Sequence, residues 1–369
     1  MRHFISQLAV SSMPCVILLA AMLAGSARRT AAEPIPKKDI IDIHCHTAGI
    51  GAGGSGCFLS PAMRRSWKYG IYLKSFGVSE EELLREGDGL ITRRLSETLA
   101  QSRRVRAAVV LAMDAVIDAN GEMDKARTEI YIPNEFVARE TGRYPNLLFG
   151  ASINPYRPDA MSRLTKLVAD GAVLMKWLPS IQHIDPADER LIPFYRRLKE
   201  LGLPLLIHTG TEHSFTGALN ELADPERLRL PLGLGVTVIA AHAGGSGRYQ
   251  GEKSQERFLR LATEYPNLHA DLSALTQLNR IGHLPWLVRH PELHDRLWYG
   301  SDMPLLNTAI ISAWGFIFRL PFAKIITINR IANPWDRDVA LKEALGATPG
   351  ILKTSARLMN RDTKKRMGW

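Results

Sequence analysis

His44 and His46 stand two residues apart at the end of the apolar run KDIIDIHCH. Residues two apart in a strand project to the same side, so both imidazoles face one way and Cys45 the other. Such a pair is weak evidence alone, because histidines also decorate strand ends without binding anything. Other apolar runs supply partners. Lys176 ends AVLMK, His208 ends LPLLIH, His242 ends VTVIAAH, and Asp302 lies in WYGSD. Imidazoles and a carboxylate are ordinary zinc ligands and leave an open position for water. Bound zinc brings the pKa of that water from 15.7 to about 7. Asp302 can bind the metal or take a proton from the water. Lys176 as a cation would repel a metal. It fits if carbamylated, if neutral, or if paired with a substrate carboxylate.

These residues must be brought together by the elements that carry them. Eight short apolar runs recur: KDIIDIHCH, VRAAVVLAMD, NLLFGASINP, GAVLMKWLP, LPLLIHTG, VTVIAAHAGG, NLHADLSAL and RLWYGSDMP. They are near-continuous in Val, Ile, Leu and Ala, as parallel strands buried on both faces are. Amphipathic segments lie between them. One carries Leu191, Phe194, Leu198 and Leu201 on a single helical face before Gly202 and Pro204. Others carry Phe258, Leu261, Ala262 and Tyr265, or Met161, Leu164, Leu167 and Val168. YPNL closes a helix and opens a strand twice, at Tyr144–Leu147 and Tyr265–Leu268, which reads as shared turn chemistry.

Lys176, His208 and His242 are separated by 32 and 34 residues, and Asp302 follows His242 by 60. One βα unit takes roughly thirty or more residues. The three residues therefore end strands four, five and six, with strand seven before Asp302 on strand eight. Eight such units close a (β/α)8 TIM barrel, an α/β fold whose sites lie at the C-terminal mouth of the strands. A doubly wound open sheet is the competing architecture, but no G-x-G-x-x-G follows the first strand. A long insertion separates strands one and two, beginning with GIGAGGSG. It lacks the G-K-[ST] of a phosphate loop and reads as the root of a flexible lid. A hydrophobic segment, Ala309–Ile328, follows strand eight. It carries only Arg319 and Lys324 as charges and is interrupted by Pro321. It reads as a helix packed on the barrel or as a flap touching membrane or substrate.

With these motifs in order, the chain resembles the amidohydrolase superfamily, in particular its amidohydrolase-related (amidohydrolase 2) branch. The carrying motifs are H-x-H at His44/His46, MKWLP at Lys176, HTG at His208, AHAGG at His242 and GSDMP at Asp302, within residues 39–304. The segment NPWDRDVALKEALG adds a familiar C-terminal helix. The resemblance implies a metal-dependent hydrolase or decarboxylase on a TIM barrel. It implies His44, His46, His208 and Asp302 as metal ligands, with Lys176 joining them if carbamylated and His242 if the centre is dinuclear. Asp302 and His242 would be the catalytic groups. The implied cofactor is a divalent metal, zinc first, as one or two ions. The implied reaction is attack of activated water on an amide, ester or lactone-type carbon. The alternative is non-oxidative decarboxylation of an aromatic or unsaturated acid.

The N-terminus reads separately. Residues 1–32 have Arg2, an apolar centre from Val16 to Ala24 and small residues after it, the layout of a secretory signal peptide. That predicts a periplasmic or secreted protein with residues 33–369 as one domain. An uncleaved membrane anchor is the alternative. Three cysteines make no disulfide framework, and Cys45 and Cys57 read as separate thiols. The net charge of +10 is spread over helix faces, and no nucleic-acid-reading module appears. The expected partner is a small-molecule substrate, with membrane-surface contact through Ala309–Ile328. Glu212 and His213 follow the HTG turn and read as exposed loop residues, with facing the site as the alternative, and His183 reads as solvent-facing rather than lining the mouth. Asp114 reads as a strand-end candidate or a helix cap, and His269 as structural.

Overall fold

The computed structural model describes residues 39–358. The signal or anchor expected over residues 1–32 lies outside them. Eight strands form one sheet: β1 (Ile40–His46), β2 (Val105–Leu111), β3 (Leu147–Ala151), β4 (Leu174–Trp177), β5 (Leu205–His208), β6 (Val238–Ala241), β7 (Leu268–Asp271) and β8 (Leu297–Trp298). They neighbour one another in chain order, and every pairing is parallel. The ends meet through backbone bonds. Ile43 N–H donates to the Tyr299 carbonyl at 3.1 Å, His46 N–H to Met303 at 2.9 Å and Asp302 N–H to His44 at 2.9 Å. The architecture is the expected (β/α)8 TIM barrel, and each of the eight apolar runs supplies one strand.

Ile41, Ile43, Val109, Leu148, Leu206 and Ile239 pack together in one buried cluster inside the barrel. A second, larger cluster joins the outer faces of the strands to the helices and includes Cys45. Strict alternation would put Ile43 and Cys45 on the same side. An irregularity between Asp42 and Cys45 in the β1–β2 register switches the face. Past it, His44 and His46 turn toward the mouth while Cys45 turns outward.

Helix Ser254–Glu264 buries Phe258, Leu261 and Ala262 as its stripe predicts. Helix Ala160–Ala169 buries Leu164 and Leu167 but leaves Met161 in solvent, so its apolar stripe is narrower than the sequence suggests. Both YPNL copies make the same turn, with Leu147 N–H and Leu268 N–H each donating to the tyrosine carbonyl three residues back, at 3.2 and 3.1 Å.

The insertion after β1 is largely helical, with helices at Trp67–Phe76, Glu80–Glu86 and Gly89–Ala100. Its glycine-rich root is tied down rather than loose. The buried Asp88 carboxylate accepts from Ile50 N–H (3.0 Å), Gly51 N–H (2.9 Å) and the Ser55 hydroxyl (2.5 Å). A Cβ at Gly49 would lie 2.5 Å from that carboxylate, so only glycine fits there. Cys45 and Cys57 are both free and buried.

Ala309–Ile328 is not one helix. A 3-10 turn at Ala313–Phe316 and a helix at Phe322–Asn329 flank Pro321. Phe316, Ile325 and Ile328 pack inward, while Trp314, Ile317, Phe318 and Phe322 face outward. No described helix is long and apolar enough to cross a membrane.

Candidate metal centre

Asp42 positions the end of β1. Its carboxylate accepts from His44 N–H (3.0 Å), Ser301 N–H (2.9 Å), the Ser301 hydroxyl (2.5 Å) and Trp335 Nε1–H (2.8 Å). One buried carboxylate thus ties the irregular part of β1 to the loop after β8 and to helix Pro334–Ala344. Full burial raises its pKa to about 6 against those four bonds. The brace sets His44 beside Asp302: their Nε2 and Oδ1 atoms lie 3.5 Å apart. His46 Nε2 is 3.2 Å from the same oxygen and 3.1 Å from His44 Nε2.

Hydrogen bonds fix which ring nitrogens face the cavity. His44 Nδ1 lies 2.7 Å from Asp271 Oδ2. Asp271 is held well below the usual carboxylate range, because His44 and His242 outweigh the effect of its burial. It is therefore an acceptor, His44 Nδ1 carries the proton, and the Nε2 lone pair is left for the centre. His242 Nδ1 lies 2.9 Å from the Ser273 carbonyl, which can only accept, so the same tautomer follows. Asp271 Oδ1 also accepts from His242 N–H (2.8 Å) and from the Ser273 hydroxyl (2.5 Å). Asp271 is thus engaged by donors on every side, which makes it a positioning group for the two histidines.

His208 and His242 close β5 and β6, and the turns after them interlock. Thr209 donates its hydroxyl to the Ala241 carbonyl at 2.8 Å. Gly210, at φ +86°, has carbonyl oxygens of the next turn within 2.7 Å of where a Cβ would stand. The HTG and AHAGG motifs are therefore two halves of one close backbone contact. The His208 and His242 rings meet edge-on, 5.0 Å between centroids. His208 Nε2 is buried with no hydrogen-bond partner, and Glu212 Oε2 stops 3.6 Å away. His242 (φ 63°) and Asp302 (φ 62°) both occupy the left-handed region that side chains avoid. Such strain persists where surrounding structure overrides it.

Lys176 is 1% exposed and its Nζ lies 3.1 Å from His44 Nε2. Burial lowers it to about 8, against the pull of Asp271, Asp302 and Glu212. Burial also lowers His44, His208 (to about 4) and His242, which keeps the imidazoles neutral. Burial alone would raise Asp302, but His46, His44 and His242 hold it well below its ordinary value. His44, His46, Lys176, His208, Glu212, His242 and Asp302 all line one cavity of about 340 Å³.

The residues fit a divalent cation. Two imidazole nitrogens and a carboxylate oxygen offer lone pairs within 3.5 Å of one another. That crowding is repulsive unless a proton or a cation is shared. The orphaned nitrogen of His208 opens into the same cavity. Neutral imidazoles and an ionised carboxylate are the states that bind metal.

The amidohydrolase family model matches residues 41–340. The chain belongs to the amidohydrolase family. The family is one of metal-dependent enzymes. Among solved structures the chain is similar to an uncharacterized TIM-barrel protein from Bordetella bronchiseptica, at 18% identity and a TM-score of 0.52, covering 82% of this chain and 99% of that one. It is also similar to a probable 2-pyrone-4,6-dicarboxylic acid hydrolase from Acinetobacter baumannii (13% identity, TM-score 0.47, 90% and 100% covered). A third is 5-carboxyvanillate decarboxylase from Novosphingobium aromaticivorans with bound manganese (16%, 0.44, 75% and 92%). The first of these likenesses shows the fold. A search of curated proteins finds no match.

In this family member, the six residues singled out by sequence all line the cavity. Four further residues belong to the site or brace it. Glu212, expected in solvent, is buried against His208. Asp271 and Ser273 position the histidines, and the only trace of them in the sequence is an acid closing the seventh apolar run. Arg280 lines the cavity from the turn after β7. Asp114 is instead spent on Arg157, with both contacts at 2.7 Å. His183 is absent from the cavity wall, and His269 stacks edge-on against Trp298, a structural role.

Proposed function

We propose that this chain is a divalent-metal-dependent hydrolase acting on an amide, ester or lactone-type carbon, with zinc as the first candidate ion. The observation that carries the reading is the convergence of His44 Nε2, His46 Nε2 and Asp302 Oδ1 within 3.5 Å at the mouth of the barrel. These three would hold the ion, with His208 as a further ligand. A bound divalent ion supplies Lewis acidity and lowers the pKa of water. The chain's own groups supply the rest. Ionised Asp302 takes the proton of the attacking water and returns it to the leaving group. His242, fixed through Nδ1–H, presents its other nitrogen to orient water or substrate, or joins His208 at a second ion. Lys176, buried and lowered to about 8, would become a further ligand if carbamylated.

Purified protein should carry about one or two divalent ions per chain, lose activity on chelation and regain it with zinc. Full activity in a metal-free preparation would overturn the reading. The second reading is a non-oxidative decarboxylase of an aromatic or unsaturated acid, with Asp302 or His242 protonating the carbon. The unpaired cation Arg280 in the cavity favours an acidic substrate and keeps this reading alive. Release of carbon dioxide without hydrolysis would select it.

Residues 1–32 are proposed as an export signal, cleaved to leave a periplasmic or secreted enzyme. An anchor in the membrane is the alternative, and sequencing of the mature N-terminus separates the two. The outward face of Ala309–Ile328 is proposed to rest on an anionic lipid surface. Phe318 is 97% exposed, beside Trp314, Ile317 and Phe322, with Arg319 and Lys324 in solvent among them. The patch runs on to the cavity wall through Ile310, whose carbonyl accepts from Leu278 N–H at 2.9 Å.

A further inference from the structure

Four cationic side chains are buried among the described residues: Lys176, Arg257, Arg280 and Lys342. Three have partners. Arg257 reaches Asp224 at 2.6 Å, Lys342 reaches Asp338, and Lys176 reaches His44. Arg280 has none. It is 5% exposed, its Nε and Nη1 make no hydrogen bond, and no described carboxylate lies within ion-pair distance. A buried guanidinium whose Nε and Nη1 make no hydrogen bond is costly, and only the longer-range charges of Asp302, Glu212 and Asp271 offset its burial.

The position is built. Arg280 closes a 3-10 turn, Leu278–Arg280, just beyond the positioning groups Asp271 and Ser273. Its N–H donates to the Gln277 carbonyl at 2.9 Å, and Gln277 pairs with Ile311. Its side chain lines the same cavity as His44, His46 and Asp302. Glu212, the other acid of that wall, is taken by Ser214 N–H at 2.5 Å. Much of the remaining wall is apolar, including Ile71, Phe76, Ile130, Phe215 and Ile310.

We propose that Arg280 anchors the carboxylate of an apolar acid, holding the reactive bond of that substrate over His44, His46 and Asp302. This rests on the reading of the cavity as the substrate site, whichever bond is then broken. The planar guanidinium matches a planar carboxylate through two parallel N–H···O bonds. A phosphate dianion would bring a second negative charge to a wall that already carries Asp302 and Glu212. Arg280 is therefore a specificity residue that selects acids over their neutral analogues.

The test is calorimetric binding of octanoate, octanamide and octyl phosphate to the metal-loaded full chain, with metal content measured on every sample. The wild type should bind octanoate tighter than octanamide by on the order of 10- to 100-fold. Arg280→Met should lose that preference, and Arg280→Lys, which keeps the charge without the fork, should retain part of it. A wild type with no preference overturns the proposal. So does Arg280→Met that keeps the preference at equal metal content, because the ion alone then holds the carboxylate. Octyl phosphate binding tighter than octanoate overturns the choice of carboxylate. If Arg280→Met fails to fold, the wild-type comparison and Arg280→Lys decide. Turnover of a neutral octanoyl ester by the wild type is scored separately. Its absence counts against the hydrolase reading, while the binding preference alone judges Arg280.

Discussion

Asp271 shows how much of the candidate centre can rest on a residue that braces its histidines. It holds the His44 proton on Nδ1 and accepts the His242 backbone N–H. Asp271→Asn can present an N–H to His44 Nδ1 and force the other tautomer. Its metal affinity is expected to fall by roughly 10- to 100-fold, read by competition with a chelating dye. Ser273→Ala removes the hydroxyl that bonds Asp271 Oδ1 at 2.5 Å and should weaken metal binding less. His44→Ala and His46→Ala each remove a donor outright. Both should lose stoichiometric metal, measured by elemental analysis, while the fold persists by circular dichroism.

At the scale of elements, β1 matters most, because its register break turns two histidines toward the cavity. Asp42 holds that break, with bonds to His44, Ser301 and Trp335. Asp42→Ala leaves several buried donors unsatisfied. The expected loss of stability is on the order of 3 kcal/mol, by urea unfolding, with activity falling together with metal content. Asp88→Ala is the contrasting case. It frees the glycine-rich root of the insertion without touching a ligand, so substrate KM should change while metal content does not. The strands were legible because burial on both faces makes each a continuous apolar run. The register break was not, because it depends on hydrogen bonds from Ser301 and Trp335, which lie far away in the chain. Met161 was misplaced for a related reason: helical periodicity marks a face but not how wide a stripe the barrel covers.

At the scale of the whole molecule, folding leaves an outer apolar patch around Phe318 uncovered. Contact with an anionic bilayer predicts co-sedimentation with phosphatidylglycerol vesicles, weaker on phosphatidylcholine and weakened by salt. Phe318→Ser with Phe322→Ser should reduce the bound fraction several-fold. Equal binding by that double variant would remove the lipid assignment.

Spacing decided a good deal without coordinates. Runs about thirty residues apart must be successive βα units, so side chains at their ends must share one mouth of the barrel. His44, His46, Lys176, His208, His242 and Asp302 were brought to one cavity that way, and their types are those that suit a divalent ion. Tertiary structure decided what spacing cannot encode. It chose the histidine tautomers through Asp271 and Ser273, buried Glu212, and set Lys176 against His44. It also left Arg280 without a partner inside the cavity. Each of these depends on which side chains meet across the barrel, and a turn residue such as Arg280 carries no periodicity to announce where it will point.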